Sequence, residues 1–416
     1  MRIQFRTMLL LLVGACFIAT IQTAMSMPNF ARRYNMSCSS CHNPVPRLND
    51  FGFKFRAAGF RLPDDIGKGE TSNNLGDYLA ARTQVRADYK TSDPGTPNST
   101  KTSNAQMTFH ELTVYPISGA YGKDLSSLVE LSFLPDNYAE VENGYVRYDY
   151  ATNSTSFVSF RAGIFHPFEG YGASDRPLGI SRPFFQTTTA NQNQSSLFTP
   201  WGYDEAGVEV GYTMEKTSFR ITMFNGILPS GEPAQGGNLS KSTTSQSRDN
   251  KDVQLFVNHA LTDNGGGLSG YAYFGKVDLT NGTTYKNSFQ RYAIYASYPV
   301  QKALLLGGYQ NGSDTYLDPV AVTTSTFSST GFFAEANYNI SDPLWVGLRF
   351  DAFDPSTNKS NNEVNGITAV ANYYYDNGLQ FIAEYQNKST KSQAGSSAPT
   401  YTKADNTVQV RMIFIF

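Results

Sequence analysis

No excess of either charge runs through this 416-residue chain. Lys and Arg total 33 and Asp and Glu 35, a formal charge of −2, so the strongly basic surface that draws nucleic acid is excluded. Charge of any sign is scarce: 16% of residues against roughly 25% in an ordinary soluble domain. Long hydrophobic runs are missing too. Beyond the first 26 residues no apolar stretch approaches the roughly 20 residues of a membrane-crossing helix, which excludes a helical membrane protein. Cysteines number three and tryptophans two, too few cysteines for a disulfide framework. Nucleotide-binding and nucleophile motifs are absent as well. What the chain holds in quantity is 29 Phe, 26 Tyr and 35 Gly among many Asn, Ser and Thr. That is a β-rich composition, long enough for one large domain or two small ones.

The N-terminus reads as an export signal. Arg2 and Arg6 form a positive region, Met8 to Ile18 an apolar one, and Ala24-Met25-Ser26 a small-x-small cleavage site, so residues 1–26 are expected to be removed. Val13-Gly14-Ala15-Cys16 is a poor lipoprotein site, because the apolar run continues past the cysteine. Cleavage removes Cys16 and leaves Cys38 and Cys41, followed by His42.

Cys38-Ser39-Ser40-Cys41-His42 is the attachment pattern of a covalent c-type haem. Two thiols at this spacing reach the two vinyl groups on one porphyrin edge, and the adjacent histidine becomes the proximal iron ligand. A thioredoxin-like dithiol would need a βαβ context, and a structural zinc site more ligands nearby. After the motif, residues 47–58 place Leu48, Phe51, Phe55 and Ala58 on one helical face, with Gly59 as a C-terminal stop. Leu48, Phe51 and Phe55 are candidates for packing on the haem. Residues 27–76 are too few to bury a core of their own and need the cofactor, and a neighbour, to fold. For the distal ligand, Met27, Met36, Met107, His110, His166 and His259 are the candidates, and spacing selects none of them.

From residue 77 onward apolar and polar residues alternate. Leu79, Ala81, Thr83, Val85, Ala87 and Tyr89 face one way; Ala80, Arg82, Gln84, Arg86 and Asp88 face the other. The last residues repeat this, with Val408, Val410, Met412, Phe414 and Phe416 against Gln409, Arg411 and Ile413. Sixteen such segments can be counted, near 78–89, 105–115, 123–134, 140–150, 156–165, 203–213, 217–226, 252–261, 268–277, 287–298, 302–311, 329–340, 343–353, 364–375, 379–387 and 406–416. Most match the roughly 9–11 residues of a tilted membrane strand. Their connections alternate: tight ones such as Ser341-Asp342 and Asp376-Asn377-Gly378, then long ones at 90–104, 166–202, 227–251, 312–328, 353–363 and 388–405. The expectation is an all-β outer-membrane barrel of about 16 antiparallel strands over residues 77–416, preceded by a short helical haem segment. An even count puts both chain ends on the short-turn, periplasmic side. A soluble β-sandwich also alternates but rarely needs so many regular strands.

On the polar faces lie Arg82, Arg86, Arg147, Arg161, Arg220, Arg349 and Arg411 with Glu130, Glu205, Glu209, Glu335 and Glu384, expected to pair across strands and hold the wall. The longest connection, 166–202, carries Arg176, Arg182, Phe184, Phe185 and Trp201 and is a candidate to fold inward.

The stretch from Pro28 to Phe60 resembles the cytochrome segment of fused monohaem cytochrome c–porin proteins. The resemblance rests on Phe30-Ala31-Arg32, the Cys38–His42 motif, Pro46-x-Leu48-Asn49-x-Phe51-Gly52, Phe55 and Gly59. It implies one covalently attached haem c ahead of a barrel of about sixteen strands. It also implies electron transfer between an extracellular donor or acceptor, Fe(II) in the best-known members, and a periplasmic carrier such as a soluble cytochrome. The expected environment is outer-membrane lipid, with no nucleic acid. A passive diffusion porin whose haem segment acts as plug or sensor is the alternative.

Overall fold

A computed structural model describes residues 28–416 apart from 136–137, 154, 167–169, 173–177, 188–204, 227–250, 281–283, 319–322, 359, 377 and 394–398. The expected signal at 1–26 and Met27 lie outside the described residues. Period-two alternation becomes a single antiparallel sheet of seventeen strands. These are β1 Ala80–Asp93, β2 Thr102–Tyr115, β3 Gly119–Tyr121, β4 Leu125–Leu134, β5 Tyr138–Ala151 and β6 Ser156–Phe165. Then come β7 Glu205–Met214, β8 Thr217–Phe224, β9 Asp252–Ala260, β10 Gly267–Thr280, β11 Thr284–Val300 and β12 Ala303–Asp318. The last are β13 Thr323–Ser341, β14 Leu344–Asp354, β15 Val364–Asp376, β16 Leu379–Gln393 and β17 Thr400–Ile415.

Both β2 and β3 pair with β4, so β3 continues β2 beyond a break at Pro116, and the wall has sixteen strands. Proline has no N–H to give a ladder, which accounts for a break at that position. The wall closes where β17 pairs with β1, from Arg82 opposite Ile415 to Asp93 opposite Ala404. Each segment read from alternation overlaps one wall strand.

The faces are inverted relative to a soluble protein. Along β8, Phe219, Ile221 and Met223 are exposed while Thr222 and Phe224 are buried inside. Along β13, Phe332, Tyr338 and Ile340 face out and Glu335 and Asn337 are buried. An apolar outer belt is solvated by lipid tails, and closure satisfies the backbone where no water is available.

The connections differ from the expectation. The long stretches at 312–328 and 388–405 are largely strand: β13 runs 19 residues and β17 16. Polar Ser, Thr and Asn there pair in register, as Thr315 does with Thr326, because hairpins that continue past the apolar belt keep their backbone hydrogen-bonded. On one rim the strands are joined by connections of two to six residues, and both ends of the wall, Ala80 and Phe416, meet there.

Because Ile221 faces lipid midway along β8, Ile221→Arg is expected to lower the unfolding free energy in urea-treated lipid vesicles by about 2–4 kcal/mol. Thr222→Ser, on the luminal face, is expected to stay within about 0.5 kcal/mol.

Candidate haem site in the barrel mouth

The N-terminal segment folds as three short helices, α1 Pro28–Tyr34, α2 Cys38–Cys41 and α3 Asp50–Ala57, followed by single 3-10 turns at Pro63–Asp65 and Leu75–Asp77. Helix α3 starts later than the apolar spacing predicts, because Asn49 caps it by accepting from the Gly52 N–H at 2.9 Å. It stops where predicted: Gly59 takes a φ of +63° just beyond it.

This segment fills the short-turn mouth of the barrel. Phe30, Phe55 and Phe60 pack with the inward-facing wall residues Ala80, Tyr115, Leu128, Tyr145, Phe165 and Phe224. Around that apolar centre, polar contacts fix the segment to the wall. Asn29 donates to the Ser118 carbonyl at 2.9 Å, Arg61 pairs with Asp149 at 3.2 Å, and Arg147 donates to the Ala57 carbonyl. Arg47 reaches Glu335 on β13 at 2.7 Å, with both side chains buried.

The Cys38–His42 motif lies in this plug. Cys38 is buried and Cys41 half-buried on one helical turn, and they are not bonded to each other. Burial pushes the Cys41 thiol up to about 11, the opposite of the lowered value of a redox-active dithiol. The Cys38 thiol lies 3.9 Å from the Tyr374 hydroxyl on β15. His42 Nδ1 lies 2.9 Å from the Pro46 carbonyl oxygen. A carbonyl only accepts, so Nδ1 is the nitrogen that donates in this contact. His42 and Leu48 also form a β-bridge, so the loop between them doubles back. At Gly52 a Cβ would collide with the Cys41 carbonyl and the Leu48 side chain, so glycine is what allows α3 to lie against the motif.

These residues fit a c-type haem on the chemistry of the donor set: two reduced thiols on one turn and an oriented imidazole beside them. The packing candidates divide. Phe55 is committed to protein, edge-on to Phe30 at 5.4 Å; Phe51 is half-buried and stacked on Phe55 at 6.3 Å; Leu48 lines a cavity with Phe53, Tyr171 and Phe333.

The distal candidates divide as well. Met107 is 65% exposed on the outer face, and His259 faces outward beside Thr217, so the wall separates both from the plug. Met36 is half-buried between α1 and α2, and His110 is half-buried on β2. His166 is buried and shares a luminal cavity with Phe53, Arg56 and Ala57 of α3.

Beyond the plug, part of the connection after β6 does fold inward. Tyr171 donates to Asp50 at 2.6 Å and its ring meets Phe53 at 4.7 Å. The Ile180 and Ser181 N–H groups bond to Glu384, and Arg349 donates to the Ser181 and Arg182 carbonyls. Phe184 and Phe185, on the single turn α4 (Phe184–Thr187), join Phe256, Tyr271, Tyr295, Phe333 and Phe353 in an apolar cluster. Arg176 and Trp201 lie outside the described residues.

Pairs across strands are present, Arg82 with Glu111 at 2.7 Å and with Glu130 at 3.4 Å, and Arg161 with Glu209 at 2.7 Å, whereas Arg349 pairs within its own strand with Asp351 at 2.8 Å. Glu335, Glu384 and Arg349 have a second role that wall pairing does not foresee, since they hold the plug and the inward segment. Arg47, Asp50 and Tyr171 were not singled out from the sequence. The available signal was a charged pair, Arg47 and Asp50, within a segment too small to leave them both on a surface.

Loss of the Arg47 partner leaves Glu335 buried with less compensation. Arg47→Met is expected to raise amide exchange across residues 38–57 by about tenfold or more, measured by mass spectrometry with the barrel intact.

No family model and no curated protein matches the sequence. Solved structures do. The outer-membrane channel DcaP of Acinetobacter baumannii aligns with a TM-score of 0.55 at 12% identity, over 84% of this chain and 100% of that one. The OmpF porin of Salmonella typhi, solved with daunomycin, gives 0.51 at 12% identity, over 81% and 97%. An anion-selective porin from Comamonas acidovorans gives 0.50 at 12% identity, over 81% and 98%. At such identities the likeness is one of fold, and the chain folds as a closed sixteen-strand barrel of the outer-membrane porin type.

Proposed function

We propose that this protein is an outer-membrane electron conduit in which one haem c, attached through Cys38 and Cys41 and ligated by His42, is held in the periplasmic mouth of the barrel. The observation that carries the reading is the Cys38–His42 turn seated inside the mouth, with His42 oriented by Pro46. Cys38 and Cys41 would each hold the group by adding S–H across a vinyl double bond, which needs no oxidant. When bound, the group supplies a one-electron Fe(III)/Fe(II) couple. The chain's own residues do the rest. The Pro46 carbonyl keeps the His42 ring turned. Leu48 and Phe51 supply apolar surface beside the motif. Arg47–Glu335 and Arg61–Asp149 hold the plug at a fixed distance from the wall. Electron transfer of this outer-sphere kind asks for no general acid or base. The donor is extracellular, with Fe(II) the candidate, and the acceptor a soluble periplasmic cytochrome.

The plug, the inward segment at 178–187 and the aromatic cluster occupy part of the lumen. The second reading, a passive porin with the segment as plug or sensor, is favoured by the fold shared with the channels above.

One measurement separates them: the visible spectrum of the detergent-purified, air-oxidised protein before and after Fe(II). A prompt reduced c-haem band makes iron a competent donor. Reduction by dithionite but not Fe(II) keeps the cytochrome–porin and removes iron. Absence of any haem band overturns the reading, as would a large planar-bilayer conductance that is unchanged by Cys38→Ser/Cys41→Ser. That double variant is expected to abolish the covalent haem stain on denaturing gels while the barrel keeps its heat-modifiable migration.

A further inference from the structure

The residues between the Cys38–His42 motif and α3 fold back on it. The Asn43 N–H donates to the Arg47 carbonyl at 2.9 Å, and the Arg47 N–H to the Pro44 carbonyl at 2.7 Å. Together with the His42–Leu48 bridge this sets the Arg47 backbone against Asn43, next to His42. Antiparallel neighbours of this kind stand about 5 Å apart. Local backbone pairing alone thus brings Arg47 to the motif.

The Arg47 side chain is buried, and only part of it is used. Its Nη2 meets Glu335 at 2.7 Å. Its Nε and Nη1 are buried and, among the described residues, have no hydrogen-bond partner. Arg61, also buried in the plug, shows the contrast. Its Nε donates to the Gly122 carbonyl, its Nη1 to Asp149 and the Ala58 carbonyl, and its Nη2 to the Leu125 carbonyl. Buried donors left unpaired are costly. A guanidinium offers five N–H donors in one plane, enough for two carboxylates at once. Arg47 and Leu48 line one cavity with Phe53 and Phe333, so apolar surface adjoins the unused donors' residue.

We propose that Arg47 receives a carboxylate arm of the haem, holding Glu335 of the wall with one nitrogen and the arm with the others. The inference rests on the haem reading above. A haem bonded to Cys38 and Cys41 through its vinyl groups and ligated by His42 carries two such propionate arms. One guanidinium then ties cofactor, plug and wall together, and Arg47 is a positioning residue for the haem.

The test compares Arg47→Gln with Glu335→Gln in the full, haem-bearing chain. Both cut the pair between plug and wall, and only the first removes the donors. Resonance Raman spectra read the propionate bending band, and redox titration reads the midpoint potential. Arg47→Gln is expected to shift the band and to favour the ferric form by about tenfold at a fixed ambient potential, because a cation near the iron is lost. Arg47→Lys is expected to do the same to a smaller extent, and it supplies the reading if Arg47→Gln carries no haem. Glu335→Gln is expected not to move the band in that direction. Heat-modifiable gel migration verifies that each barrel is folded, and the covalent haem stain that each is loaded. Band and potential equal to the parent's in the loaded Arg47 variants overturn the proposal. So does a band shift of the same direction and size in Glu335→Gln, since the band then reports undocking of the plug. A haem-bearing parent with unmoved Arg47 variants sinks this inference alone; a parent without haem sinks the conduit reading with it.

Discussion

The backbone ladder that closes between β1 and β17 is the constraint on which everything else in this molecule rests. In hydrocarbon an unpaired N–H or C=O has no water to turn to, so an open edge is not tolerated. Closure also fixes what each side chain sees. Once the sheet is a cylinder, period two assigns alternate residues to lipid and to lumen, and Ile221 and Thr222 are neighbours in sequence with opposite solvents. Closure with an even strand count brings both ends of the wall to the short-turn rim. A segment that precedes β1 is thereby delivered to that mouth.

The lumen then sets a second problem. Its wall is rich in Arg, Asp and Glu, and a segment placed inside it must answer those groups or leave them buried and unpaired. The plug answers with Arg47 to Glu335, Arg61 to Asp149 and its own helix-end carbonyls to Arg147. Its aromatic residues do what a small domain cannot do alone, by sharing one core with Tyr145, Phe165 and Phe224 of the wall. The inward segment at 178–187 uses the same device, with Glu384, Arg349 and Asp351 gripping its backbone. Wall pairing and plug holding are thus one network, and the haem motif is placed by it.

Much of this could be read in advance where the physics is local. Alternation located every wall strand, since the solvent on each side differs so sharply that one misplaced residue costs dearly. Gly59 was legible as a helix stop because its φ demands glycine. Helix α3 was read too long because Asn49 looks like any polar residue until its side chain is seen to cap. Phe55 packs on Phe30 and the wall, and in sequence one apolar face looks the same whichever surface it meets. Strand length was underestimated where polar hairpins climb past the apolar belt, because a Ser- and Thr-rich strand in water carries no hydrophobic signal.

The sequence by itself determined the barrel, its sixteen strands, the direction each strand faces and the presence of a Cys-x-x-Cys-His turn, because each depends on residues close together in the chain. Tertiary structure alone decided where that turn sits, which carboxylate holds Arg47 and which histidine shares a cavity with the plug. Those are pairings across long stretches of chain, 288 positions between Arg47 and Glu335 and 336 between Cys38 and Tyr374. Sequence spacing carries no record of them, since they exist only once the sheet has curled round and brought distant strands to face one lumen.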